Sequence, residues 1–157
     1  MEVILRLLSP ENSAVCRLCL AYGLRVGDVL TLKPDQARGT SVTIREHKTG
    51  KRRKIVWNDK TRALALRFSN SFFCFPHRTT PYLHRTRQAV WKDIQRAKKA
   101  LRLRGAVGTH SFRKSYAVRK FAACGDMRRV RALLNHSDEA VTILYALADE
   151  IDSASKG

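Results

Sequence analysis

Carboxylates are scarce in this chain. Only 13 Asp and Glu stand against 31 Lys and Arg, and they are scattered, many near the ends of predicted helices. A two-metal nuclease or transposase centre needs several carboxylates converging on its ions, so the pattern argues against that chemistry. Glycine (8) and proline (4) are few, and 44% of residues are hydrophobic, which separates the chain from linkers and disordered segments. No apolar run approaches membrane-spanning length. The opening "MEVILRLL" is too short for a signal core and carries Glu2 and Arg6. Cysteines are limited to Cys16, Cys19, Cys74 and Cys124. "CRLC" has zinc-ligand spacing, but no second Cys or His pair follows at the usual interval. The surrounding "AVCRLCLAYGL" reads as a buried helix whose thiols act as small hydrophobes. No metal or other cofactor is expected, and a reduced, cytoplasmic compartment fits these cysteines.

What the chain has is positive charge. A net +18 over 157 residues, with a pI near 10.6, recruits a polyanion, nucleic acid first and an anionic membrane surface second. Charge of this size names a partner and no activity. The length suits one domain with a sizeable core.

Periodicity and caps give the organisation. "SPEN" at 9–12 starts a helix, with Ser9 as cap and Pro10 in the first turn, which runs to Tyr22 and stops at Gly23. "RVGDVLTL" forms a short helix ended by Pro34. "SVTIRE" and "KIVW" are β-rich runs flanking "HKTGKR", a hairpin signal. A helix spans Asp59 to Phe68. The segment from Arg85 to Leu103 is the clearest amphipathic helix, with Val90, Trp91, Ile94, Ala97 and Leu101 as its apolar stripe. Its other faces carry Arg85, Arg87, Lys92, Arg96, Lys98 and Lys99, a one-signed surface suited to a phosphate backbone. Lys51 and Arg52 add charge at the hairpin. Helices follow over 111–124, with Thr109 or Ser111 as cap, and over 126–134. A last helix opens near Ser137 and Asp138. The expected class is α+β: mostly helical, with one small antiparallel hairpin sheet.

Five short motifs carry chemistry. "GLRVGD" places Arg25 on a tight connection between two helices, and "HKTG" places Lys48 at the hairpin tip. "THSFRKS" sets His110 and Arg113 three apart on one face of a helix start, where an anion is favoured. "LLNHSD" puts His136 at a helix junction, and Tyr145 follows nine residues later in "ILYAL". On one unbroken helix those two would point to opposite sides, so their convergence needs a break at Ser137 and Asp138. Tyr116 is three residues after Arg113, and pattern alone makes it a rival to Tyr145. Each motif by itself has a bland reading as a surface, capping or core residue.

In this order, on a basic chain, the motifs resemble the tyrosine recombinase (phage integrase) family across nearly the whole length. The resemblance implies a single catalytic domain over 1–157 without the family's usual N-terminal DNA-clamping domain. It implies that Arg25 and Arg113 grip the scissile phosphate, that Lys48 is the general acid for the leaving 5′-oxygen, and that His110 and His136 handle protons. Tyr145 would attack to give a 3′-phosphotyrosine. Double-stranded DNA is the implied partner, with no membrane role, in a nucleoid-associated protein that is monomeric in solution and tetrameric on DNA. Three departures stand out: Asp28 where the family has a glutamate, Lys114 where a histidine is common, and Asn135 in place of the glycine of "LGH". Asn tolerates left-handed backbone better than other non-glycine residues, so that turn is expected to survive. Two rival functions use overlapping residues: relaxation of DNA as in a type IB topoisomerase, and non-catalytic DNA binding by a decayed site.

Overall fold

The computed structural model describes residues 1–135. Helices α1 (Glu2–Leu7), α2 (Pro10–Tyr22), α3 (Val26–Leu30) and α4 (Pro34–Arg38) precede a hairpin of β1 (Ser41–Arg45) and β2 (Arg52–Val56). Then come α5 (Asp59–Leu66), α6 (Arg87–Ala100), α7 (Thr109–Cys124) and α8 (Met127–Leu133). The α+β class holds. Among the described residues no helix is long and apolar enough to cross a membrane.

α2 is the central helix. Ser9 caps it, Pro10 opens it, and Gly23 ends it in the left-handed conformation, φ +65°. Ala14, Val15, Cys16, Leu18 and Cys19 are all buried, so apolar side chains surround this helix on more than one face. It packs against α7, α3 and α5. Burial pushes the Cys16 thiol up, and the Cys19 thiol to about 12, so both stay protonated core residues.

Gly23 cannot be replaced cheaply. A Cβ there would overlap the Tyr116 ring, and the positive φ already disfavours any side chain. Gly23→Ala is expected to cost about 2–5 kcal/mol by the sum of left-handed strain and overpacking. Urea denaturation measures this, and an unchanged midpoint would refute it.

Alternation along the hairpin decides which side chains enter the core. Ile44 pairs with Arg53 and Val42 with Ile55 across the antiparallel ladder. Val42, Ile44 and Glu46 face inward from one strand, and Ile55 and Trp57 from the other. Arg53 shares that inner face and is only partly exposed. The face is therefore apolar at its open end and charged at its turn.

Several details of the helices differ from the sequence reading, among them the cap of α7, which is Gly108 and not Thr109 or Ser111. Pro34 opens α4 instead of closing α3, which ends at Leu30. Within α6, Val90, Ile94 and Ala97 are buried, but Trp91 is 45% exposed and is not part of the core stripe. Thr86 caps this helix, so Arg85 precedes it.

Candidate functional site

The connection between α2 and α3 is tight. Gly23 turns the chain, and Arg25 in extended backbone opens α3 as its N-cap. Across from it, the first turn of α7 carries His110 and Arg113, with Gly108 as N-cap and its N–H donating to Ser111 Oγ at 3.0 Å. The hairpin turn at 46–50 completes the opening. Arg25, Lys48, His110 and Arg113 all line one cleft of about 410 Å³, together with Asp28, His47 and Arg87. Lys48 and His110 are exposed, whereas Arg113 is 1% and Arg25 8% exposed.

Both guanidinium groups are held by the fold. Arg113 Nη1 donates to the Gly23 carbonyl at 2.5 Å, and Nη2 donates to the Leu134 carbonyl at 3.1 Å. Arg113 therefore links the end of α2 to the end of α8. Arg25 Nη1 donates to Glu46 Oε2 at 2.6 Å, and the Glu46 side chain is fully buried. Thr49 Oγ1 donates to the same Glu46 oxygen at 2.9 Å. Arg53 donates to the Tyr22 carbonyl, and its other terminal nitrogen lies 3.4 Å from the Gly23 carbonyl.

Asp28 accepts the His47 backbone N–H at 3.0 Å, so it supports the hairpin at the residue before Lys48. Burial pushes its carboxyl above the usual range, the His47 N–H works against this, and the nearby Glu46 charge reinforces it. Asn135 adopts φ +63°, the left-handed conformation its position in "LLNH" demands. Lys51 Nζ lies 3.5 Å from the Asn135 carbonyl, joining the hairpin to that turn. His136 and Tyr145, and the helix start expected near Ser137, lie outside the described residues.

The basic residues do not share one surface. Arg87 lines the cleft itself, and Lys98 lies beside His110 along an adjoining depression with Trp91 and Gln95. Lys51, Arg52, Lys92 and Lys99 are exposed. Arg85 is instead engaged within the fold: Nε donates to Asn12 Oδ1 at 2.7 Å, and Glu11 is 3.9 Å away. Arg96 pairs with Asp93 at 2.7 Å and donates to the Leu7 carbonyl, on the side facing α1. Neither residue lines the cleft. The reason is Asp93, the acidic residue of α6, which accepts from Ser9 N and Asn12 Nδ2 and draws Arg96 toward it. Among the described residues, no three His, Cys, Asp or Glu side chains gather in a way that would hold a metal ion.

Two residues of the site carry no motif: Glu46 and Arg53. The signal for both is the strand alternation, which turns position 46 inward with Val42 and Ile44, and position 53 inward with Ile55.

Proteins similar in sequence include the tyrosine recombinase XerC of Rhizobium meliloti, 27% identical over 150 residues, covering 90% of this chain and 47% of the relative. Another is the tyrosine recombinase XerD of Listeria monocytogenes, 25% identical over 152 residues, covering 88% of this chain and 50% of the relative. The chain thus spans about half the length of these relatives. In fold it is similar to XerH site-specific recombinase bound to palindromic difH substrate (TM-score 0.70, 17% identity, 98% of this chain and 50% of that one). It is also similar to a lambda integrase dimer bound to a COC′ core site (TM-score 0.68, 20% identity, 85% of this chain and 41% of that one). Residues 3–150 match the phage integrase family, and the chain belongs to that family.

Proposed function

We propose that this chain is the strand-cutting and strand-joining unit of a site-specific DNA recombinase. One observation carries the reading: Arg25, Lys48 and the pair His110 and Arg113, three segments distant in sequence, line a single cleft on a chain of net charge +18. A phosphodiester carries one negative charge and gains another in its pentavalent transition state. Two guanidinium forks, already oriented by the fold, answer that charge at the non-bridging oxygens.

The reaction is a transesterification. The Tyr145 oxygen bonds to phosphorus, the bond from phosphorus to the 5′-oxygen breaks, and Lys48 delivers a proton to that oxygen. His110 and His136 move protons at the phosphate and the phenol. The 3′-phosphotyrosine is then resolved by the 5′-hydroxyl of another strand, so one phosphodiester replaces another. Incubation with duplexes nicked near the cut site should trap a covalent protein–DNA adduct. No adduct across a panel of recombination sites would leave only DNA binding.

Double-stranded DNA reaches the cleft over Arg87, Lys98 and the hairpin residues Lys51 and Arg52, with Lys92 and Lys99 on the same helix as Arg87. Strand exchange joins two duplexes, and assembly of a homo-tetramer on DNA follows from that requirement. Binding should weaken steeply with salt. Replacing Lys98 and Lys99 by alanine should reduce the slope of log affinity against log salt by roughly 1.8 units, about 0.9 for each phosphate no longer neutralised. An unchanged slope would put the DNA on another face.

A further inference from the structure

We infer that Glu46 is a positioning residue that holds the Arg25 guanidinium in place for the scissile phosphate and fixes it against the hairpin that carries Lys48. The inference rests on the recombinase reading of the cleft. Its basis is a junction of several hydrogen bonds on one residue. Glu46 Oε2 accepts from Arg25 Nη1 at 2.6 Å and from Thr49 Oγ1 at 2.9 Å. The Glu46 backbone pairs across the turn, its N–H donating to the Lys51 carbonyl and its carbonyl accepting from Gly50 N. One residue therefore touches the clamp arginine, the turn that follows Lys48, and the first rung of the hairpin.

Stability alone is a weak reason to keep such a pair. Burying two charges costs several kcal/mol per ion in desolvation, and well-packed apolar residues often do as well. Here the carboxylate is fully buried, at a strand position whose neighbours on the same face, Val42 and Ile44, are apolar. A Val or Ile at position 46 would continue the pattern of the strand. What an apolar residue could not supply is a fixed direction for the guanidinium fork. A small misplacement of a catalytic group costs up to about 100-fold in rate.

The charge of Glu46 has a second, opposite consequence. It offsets part of the positive potential of the cleft, so it lowers the attraction for a phosphate while improving the geometry in which that phosphate is met. Removing the charge should move affinity and rate in opposite directions. A residue that merely stabilised the fold would change the fraction of active molecules and leave the rate of those molecules alone.

The test uses the 157-residue chain and single-turnover adduct formation at saturating DNA, with Glu46→Gln as the variant. DNA affinity should be equal or tighter, and the rate roughly 10- to 100-fold slower. The slowing should persist on DNA with a 5′-bridging phosphorothiolate, because Arg25 answers charge on the non-bridging oxygens, whatever atom leaves. Should Glu46→Gln fail to fold, Glu46→Asp, which keeps the charge but withdraws it by one methylene, carries the rate comparison alone, with affinity unchanged. An unchanged rate, a loss of reacting fraction alone, or full rescue by sulfur would overturn the role assigned to Glu46. Two controls separate the readings: normal adduct formation by Arg25→Ala would remove Arg25 from the clamp and the role of Glu46 with it, whereas no adduct from the unaltered chain would sink the recombinase assignment itself.

Discussion

Tyr145→Phe is expected to abolish the covalent DNA adduct while leaving DNA affinity nearly unchanged, and Tyr116→Phe is expected to keep the adduct. By sequence pattern alone both tyrosines are candidates. Tyr116 is set apart by its surroundings: it is 4% exposed, lies against Gly23, and does not line the cleft. Lys120 Nζ sits 5.7 Å from its ring centre. That ring belongs to the packing between α2 and α7. Loss of its hydroxyl should leave adduct formation intact. A phenol with an ordinary pKa of about 10 attacks slowly unless its anion is favoured, so the nucleophile must reach the cationic cleft. One hydroxyl adds little to many phosphate contacts, which is why affinity should survive. An adduct that persists in Tyr145→Phe and vanishes in Tyr116→Phe would reverse the assignment.

Lys48→Ala is expected to slow cleavage of ordinary DNA by roughly 10²–10⁴-fold, the range of general acid catalysis, and to recover most of that rate on 5′-bridging phosphorothiolate DNA. An alkoxide leaves badly without a proton, whereas a thiolate needs none. The position of the lysine suits this duty: it is exposed at the hairpin turn and lines the same cleft as both arginines. Arg113 should behave differently. Arg113→Ala, and the milder Arg113→Lys, should be slow on both substrates, because charge on the non-bridging oxygens develops whichever atom departs. Rates are to be compared, not yields, since Arg113 also bonds the carbonyls of Gly23 and Leu134 and its loss will cost stability. Equal defects of Lys48→Ala on the two substrates would move the acid role to Lys51 or Lys54.

The long elements are legible in the sequence because their signals are local. Ser9, Pro10 and Gly23 bound α2 by capping and backbone chemistry, and the apolar spacing of α6 survives a one-signed charge surplus. The short helices α1 and α4 are not legible. At six and five residues they are too short to be stable alone, and they form because Ile4, Leu5 and Ala37 find the core. At the site, Arg25, Lys48 and the His110–Arg113 pair stand out in the sequence because they sit at a turn or near a helix start, where few roles compete. Glu46 and Arg53 pass for part of a charged hairpin, although the alternation that turns them inward is present in the same letters. Charge alone assigns Arg85 and Arg96 to the DNA face, and the fold shows them engaged with other residues and outside the cleft. Asn12, the partner of Arg85, and the Leu7 carbonyl that Arg96 meets are set by tertiary packing, which a charge count does not contain, whereas Asp93 lies three residues before Arg96 on the same helix.

The inner face of the hairpin ties chemical competence to correct pairing of its strands. Side chains alternate with a period of two, so slipping β1 against β2 by one residue would exchange its inner and outer sets. Val42 and Ile44 would leave the core, and in the same movement Glu46 would lose Arg25. A molecule with the wrong register therefore loses the clamp of its cleft together with its anchorage. On the proposed reading as a strand-cutting unit, this arrangement leaves misfolded copies inert and not indiscriminate. On that reading, the fidelity of cutting begins with the fidelity of one ladder.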